Sequence, residues 1–272
     1  VAEVVGTLCQ RRGVLCLATY FDTLDLSEAI AHELAVAQFP NRKVPRADWA
    51  ELPLRGLIGD PFDLERRPVM PAIETLTLRR QRDTGTAAFL PHWCDPAKVA
   101  TPVGIYGLIP AGEFQPSSVA AWDKENDFDL WRSMVRAYSE EILGEPERDG
   151  TQGEPLDYEN WSLYRELQAA REKDRITSYR LGIGLDTLTL TATVLTTVVM
   201  DDEVFDELFG DAVDVNAEGV LVTASESSSV SERVPLAESS VTNFLASEPM
   251  ASSGACILEC VWRFRNQILA RY

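Results

Sequence analysis

The chain has 272 residues, 45% hydrophobic and 25% charged; that is enough apolar material for a sizeable core in one large domain or two small ones, and it excludes a disordered protein. Against 25 Lys and Arg stand 43 Asp and Glu, a formal charge of −18, which argues against nucleic acid or an anionic membrane as partner. Its 5 cysteines are odd in number and include no CxxC pair, so neither a disulfide framework nor a zinc knuckle is indicated, and a reducing cytoplasm is the expected compartment.

No apolar run approaches the length that spans a bilayer, and the opening VAEVVGTLCQRRG lacks the apolar centre and cleavage site of a secretory signal. The chain begins at Val1 and not at Met, so a module upstream is an expectation. GVLCLATYF (13–21) reads as a strand and LSEAIAHELAVAQF (26–39) as a helix with Ser27 near its start. Residues 40–71, rich in Pro and Arg, read as irregular connection and complete an N-terminal extension, 1–71. ETLTLRRQRDTGTAAFLPHW alternates about a turn at Asp83–Gly85, as a hairpin does, and GIYGLIPAGEF continues as a short strand running into a glycine loop.

A helix is predicted over 127–143, with Leu130, Met134, Tyr138 and Ile142 spaced for burial and Arg136, Glu140 and Glu141 on another face. GEPERDGTQGEPLDYEN reads as a surface excursion, followed by a helix near 160–173 and by strands in ITSYRLGIGL and LTLTATVLTTVVM. DDEVFDELFG is a short acidic segment in which Asp201, Asp202 and Glu203 suit a helix N-terminus better than a site. AEGVLV, the Ser-rich loop TASESSSVSERV and two helical patterns, LAESSVTNFLAS and ACILECVWRFRNQIL, close the chain. The aromatic residues Trp131, Tyr138, Trp161 and Tyr164 are expected in the core and not in a base-stacking platform.

Several chemistries lack their residues. His32 in IAHELAV has Val36 where a zinc protease needs a second histidine; His92 and Cys94 are two ligands, short of a zinc site; GIGLDT misses the last glycine of a dinucleotide fingerprint; there is no P-loop, and no motif surrounds any serine. Glu140 and Glu141 lie three and four residues beyond Ala137, so the three positions share one face of a helix.

IPAGEF followed by RAYSEEILG, with NAEGVLV and VPLAESSVTNFL downstream, resembles a diverged Nudix box over roughly residues 72–250. In that resemblance Gly112 takes the opening glycine, Arg136 the arginine, Tyr138 the bulky position, and Glu140 and Glu141 the glutamate pair. It implies an α/β fold with a mixed, largely antiparallel sheet sandwiched between helices, spanning 72–272 with insertions at about 113–126 and 145–175. It also implies a catalytic set in which Mg²⁺ or Mn²⁺ is held by Glu140, Glu141 and the Gly112 carbonyl, with Glu218 an auxiliary ligand or base, substrate contacts at Gly112 and Glu113, and Arg136 orienting the carboxylates. Such an ion would neutralise charge on a pyrophosphate and activate water.

The departures are specific. The span from Gly112 to Arg136 is about ten residues longer than the pattern, the early glutamate falls on Phe128 between Asp127 and Asp129, and Gly144 arrives one residue late. The glutamate expected after the arginine is Ala137, whose methyl neither binds metal nor takes a proton. The expectation is a domain that binds a nucleoside diphosphate derivative with a divalent metal, regulatory in role, weak or inactive in catalysis, and able to form a homodimer. The alternative is an active pyrophosphohydrolase of nucleotide sugars or ADP-ribose in which Ala137 is an engineered replacement.

Overall fold

The computed structural model describes residues 3–9, 14–38, 52–94, 104–149, 153–210, 219–221 and 234–270. A hairpin, β1 (Glu3–Cys9) and β2 (Val14–Thr19), leads into α1 (Tyr20–Gln38), and α2 (Pro53–Ile58) follows. The helical pattern expected from residue 26 thus starts earlier, at Tyr20, and the connection assigned to 40–71 contains a helix of its own. Arg55 of α2 is fully buried and donates to the carbonyls of Thr187 and Leu188. Arg67 donates to the carbonyl of Leu190, so two cations of the N-terminal extension hold the turn at 186–191. Burial lowers both guanidinium pKa values from their usual range.

The central sheet is built on β3 (Pro71–Arg80) and β9 (Ala192–Asp201), two strands of ten residues paired in parallel from Pro71 opposite Ala192 to Arg80 opposite Asp201. β8 (Ile176–Leu185) flanks β9, while β4 (Ala87–Phe89) and β11 (Val234–Pro235) extend the other side. β7 (Ala111–Glu113) also pairs with β3, and every ladder among the described residues other than β3 with β9 is antiparallel. A second sheet has the order β10 (Gly219–Leu221), β5 (Pro91–Cys94), β6 (Tyr106–Leu108). The expected hairpin is present: β3 and β4 are joined by a turn in which Gly85, at φ 67°, donates to the Gln81 carbonyl.

Strand periodicity of two divides the core into layers. Ile73 of β3 and Val194, Val198 and Met200 of β9 face α4 (Leu130–Glu141), α5 (Ser162–Glu172) and α6 (Asp202–Phe209). Leu76, Leu78, Leu195 and Val199 point to the opposite face, covered by α7 (Glu238–Ala246) and α8 (Ser252–Leu269). Both long strands are therefore buried on both faces; β9 reads as a run of Ala, Val, Leu, Met and Thr, whereas β3 interleaves its apolar residues with buried Glu74, Thr75 and Thr77. The result is a mixed α/β sandwich with helices on each side of the sheet, as expected.

Local differences follow from packing. The acidic segment after β9 is helical because Val204, Phe205 and Phe209 bury one face against the sheet. Asp201 at its start is 2% exposed and pairs with Arg80 at 2.6 Å and Arg82 at 2.6 Å, which binds β9 to β3. A short helix absent from the sequence reading, α3 (Ala121–Asn126), fills part of the segment before α4. The Ser-rich stretch 223–233 and Glu218 lie outside the described residues.

Candidate functional site: the seam between β7 and helix α4

The segment Ile109–Pro110, with a cis peptide bond, joins β6 to β7. Three contacts fix it over β3: the Thr75 amide donates to the Pro110 carbonyl at 2.9 Å, Thr77 Oγ1 donates to the Ile109 carbonyl at 2.8 Å, and Thr77 Oγ1 also meets Tyr138 OH at 2.8 Å. Tyr138 is wholly buried on α4, so its hydroxyl needs that partner, and burial raises its pKa. β7 then runs beside β3 with Gly112 opposite Ile73. One side chain thus ties the helix to both the strand and the loop.

α4 begins at Asp129, whose side chain accepts from the Arg132 amide at 2.9 Å as an N-cap. It ends where Gly144, at φ 67°, allows the Glu145 amide to return to the Ser139 carbonyl at 3.0 Å, a reversal that suits glycine. Met134, Tyr138 and Ile142 are buried as the spacing predicts, and Leu130 is partly buried.

Glu141, the last residue of α4, is buried, and its Oε1 accepts from the Ala111 amide at 2.8 Å. The helix acid therefore reaches the PAG turn. Ala137, one helical turn earlier, faces a hollow of about 30 Å³ shared with Gly112, Glu113 and Ser133. Glu140 is half-exposed on the same turn of helix. Of the expected site residues, the structure gathers Gly112, Glu113, Ala137 and Glu141 along one seam.

Arg136 lies elsewhere. It is 8% exposed; its Nη1 donates to Tyr158 OH at 2.8 Å and meets Asp127 Oδ2 at 3.1 Å, and its Nη2 donates to the Gln115 carbonyl. Tyr158 in turn donates to Asp127 Oδ1 at 2.8 Å, and the Ser117 amide donates to Asp127 Oδ2 at 2.7 Å. The carboxylate that Arg136 orients is thus Asp127, one of the two acids flanking Phe128. The network closes the loop between β7 and α4 onto the helix.

Glu113 is placed differently. Its Oε2 is buried without a hydrogen-bond partner, and burial raises its carboxyl pKa to about 7. Ser133 Oγ, in the same hollow, is likewise buried without a partner. Near neutral pH the hollow can hold a carboxyl group in either protonation state, the property of a group that accepts or donates a proton.

Beside the hollow, and sharing Met134 with it, opens a cleft of about 990 Å³ between the sheet, α4 and α5. Its walls include Phe114, Phe128, Trp131, Tyr164, Arg171 and Arg180. Trp131, Tyr138 and Trp161 are core residues as expected and Tyr164 packs against them, while Trp131 and Tyr164 also line this cleft. The sequence reading missed the cleft because its cations come from α5 and β8. The available signal was Trp131 beside the exposed aromatic Phe128, at the start of an otherwise well-patterned helix.

Among the described residues no three or more His, Cys, Asp or Glu side chains gather as an ion-holding group. His32 is exposed on α1, and His92 is buried on β5 with Cys94. The described side chains alone do not fit a resident divalent metal.

The fold and seam define an α/β sandwich protein in which a helix ending in a glutamate pair docks on a glycine-bearing turn. No family model and no curated protein matches the chain. Among solved structures it is similar to a NUDIX hydrolase from Alicyclobacillus acidocaldarius, at 14% identity and a TM-score of 0.36, over 70% of this chain and 90% of that one. A likeness of that degree carries neither family nor activity. Among the described residues no helix is long and apolar enough to cross a membrane.

Proposed function

We propose that this chain is a binding domain for a nucleoside diphosphate-type small molecule, Nudix-like in its helix and loop, with little or no turnover. The observation that carries the reading is the contact of Glu141 with the Ala111 amide, which puts the acidic end of α4 and the PAG turn into one seam. Ala137 opens onto that seam with a methyl group, so no acid at this position activates water. Arg136 is engaged with Asp127 and Tyr158 and supports the scaffold.

Mg²⁺ or Mn²⁺ enters the proposal only as an ion carried in by the diphosphate, whose oxygens supply ligands beside Glu140 and Glu141, the acids offered by the helix, with Glu218 a third. No step depends on it. Regulation through ligand occupancy, a cytoplasmic setting and a homodimer are part of the same proposal.

Calorimetry with ADP-ribose, with Mg²⁺ and with a chelator, is the direct measurement. Saturable heat, enhanced by Mg²⁺, is the expected result; silence under both conditions rejects the reading. Release of nucleoside monophosphate by the Ala137→Glu variant, with none from this chain, would show a hydrolase scaffold lacking one group.

A further inference from the structure

On the face of the sheet opposite the seam, α8 carries a pair of thiols that the diphosphate reading does not use. Cys256 and Cys260 are one helical turn apart, so their side chains share one face of the helix. Both are free; Cys256 is exposed and Cys260 half-buried, and the two thiols are in hydrogen-bond contact. Cys256 also lines a cleft of about 400 Å³ between the start of α8 and the turn that joins β8 to β9, together with Asp186, Thr189, Thr191 and Ser252. The helix under the thiols is fixed by other contacts. Ile257, Leu258 and Val261 are buried in the core, and Ser252 Oγ donates to Asp186 Oδ2 at 2.7 Å.

Geometry limits what such a pair can do. Cβ atoms one helical turn apart are separated by about 5–6 Å, whereas a disulfide requires about 3.5–4.5 Å. Direct oxidation would therefore unwind a helix whose inner side fills the core, while an ion held between the two sulfurs leaves the backbone in place. Burial and the adjacent Cys256 push the Cys260 thiol up, which is the opposite of what a redox-reactive cysteine shows.

The ligand count selects the ion. Among the described residues no third His, Cys, Asp or Glu joins the pair, which leaves it short of the four ligands of a structural zinc site and of the oxygen shells of Mg²⁺ and Ca²⁺. Two soft thiolates suit a soft cation of low coordination number.

We propose that Cys256 and Cys260 form a two-thiolate site for a soft monovalent cation, copper(I). On binding, each sulfur releases its proton to solvent and forms one bond to the ion; the copper stays monovalent, and nothing is oxidised or reduced. Arg263, whose charge acts on Cys260, offsets part of the negative charge of the filled site, and Glu259 acts against it. The site is independent of the seam between β7 and α4.

The test is an anaerobic titration of copper(I) in competition with a chromogenic copper(I) chelator, using the parent chain, Cys256→Ser and Cys260→Ser. Cys9, Cys16 and Cys94 remain in all three and supply a common background. The parent should withhold about one equivalent more than either variant, and zinc, titrated in the same way, should show no such difference. Equal retention of copper by all three chains overturns the proposal, and so does a zinc difference as large as that for copper. X-ray absorption of the parent loaded with one equivalent of copper needs no substitution. Two sulfur neighbours are expected at the metal; nitrogen or oxygen neighbours, or a third sulfur, would overturn the assignment.

Discussion

The two flanks of α4 treat their polar groups in opposite ways. On one, Arg136, Asp127 and Tyr158 are buried together and satisfy one another, with Gln115 and Ser117 supplying backbone partners. On the other, Ser133 Oγ and Glu113 Oε2, which line one hollow, are buried with no hydrogen-bond partner. Closed networks of the first kind stiffen a fold, whereas buried groups left open cost stability and are retained where a ligand can complete them. The contrast separates the charged residue that resembles a motif member, Arg136, from the groups that have chemistry to offer.

The largest effect expected from breaking the closed flank is that of Arg136→Met. It leaves Asp127 buried beside Tyr158 without its cation, and denaturant unfolding should show a loss of about 3–5 kcal/mol. A loss below 1 kcal/mol would mean that the network is far wetter than its burial indicates.

Glu113 on the open flank should reveal itself through pH. Its folded pKa of about 7 lies above the ordinary carboxyl value of 4.5, so folding favours the protonated form. The stability this gives is fully present below pH 4.5 and is lost as the pH rises to 7 and beyond. Glu113→Gln should match the parent near pH 4 and exceed it by about 1–3 kcal/mol at pH 8. Parallel pH profiles would show that the carboxyl is solvated.

Smaller effects sharpen the seam itself. Glu141→Ala leaves the Ala111 amide without its acceptor and should cost about 1–2 kcal/mol. Its thermal midpoint can be compared with that of Glu140→Ala, for which a smaller loss is expected because Glu140 is half-exposed. Ser133→Ala removes a hydroxyl that already lacks a partner, so unfolding should change by less than about 0.5 kcal/mol. A large loss there would place Ser133 with the closed flank.

Much of the scaffold was legible in the sequence. The periodicity of Met134, Tyr138 and Ile142 marked the buried stripe of α4, the Asp83–Gly85 signal marked the turn between β3 and β4, and LTLTATVLTTVVM marked the strand that became β9. α6 was harder to read because its acids dominate the composition, while three apolar side chains decide its fate. Of the seam, the sequence offered the glycine turn and the acidic helix as separate pieces. Their contact, and the choice of Asp127 as the partner of Arg136, depended on the path of the loop between them.

Sequence by itself determined most of the long helices and strands, the acidic balance and the order in which the turn and the helix with its glutamate pair occur, because propensity and periodicity are properties of neighbouring residues. Tertiary structure decided which polar groups are buried, which of those find partners, and which are left open beside the cleft. Burial of Glu113 and Trp131 arises from elements brought together by the fold, and desolvation acts only once that fold has closed.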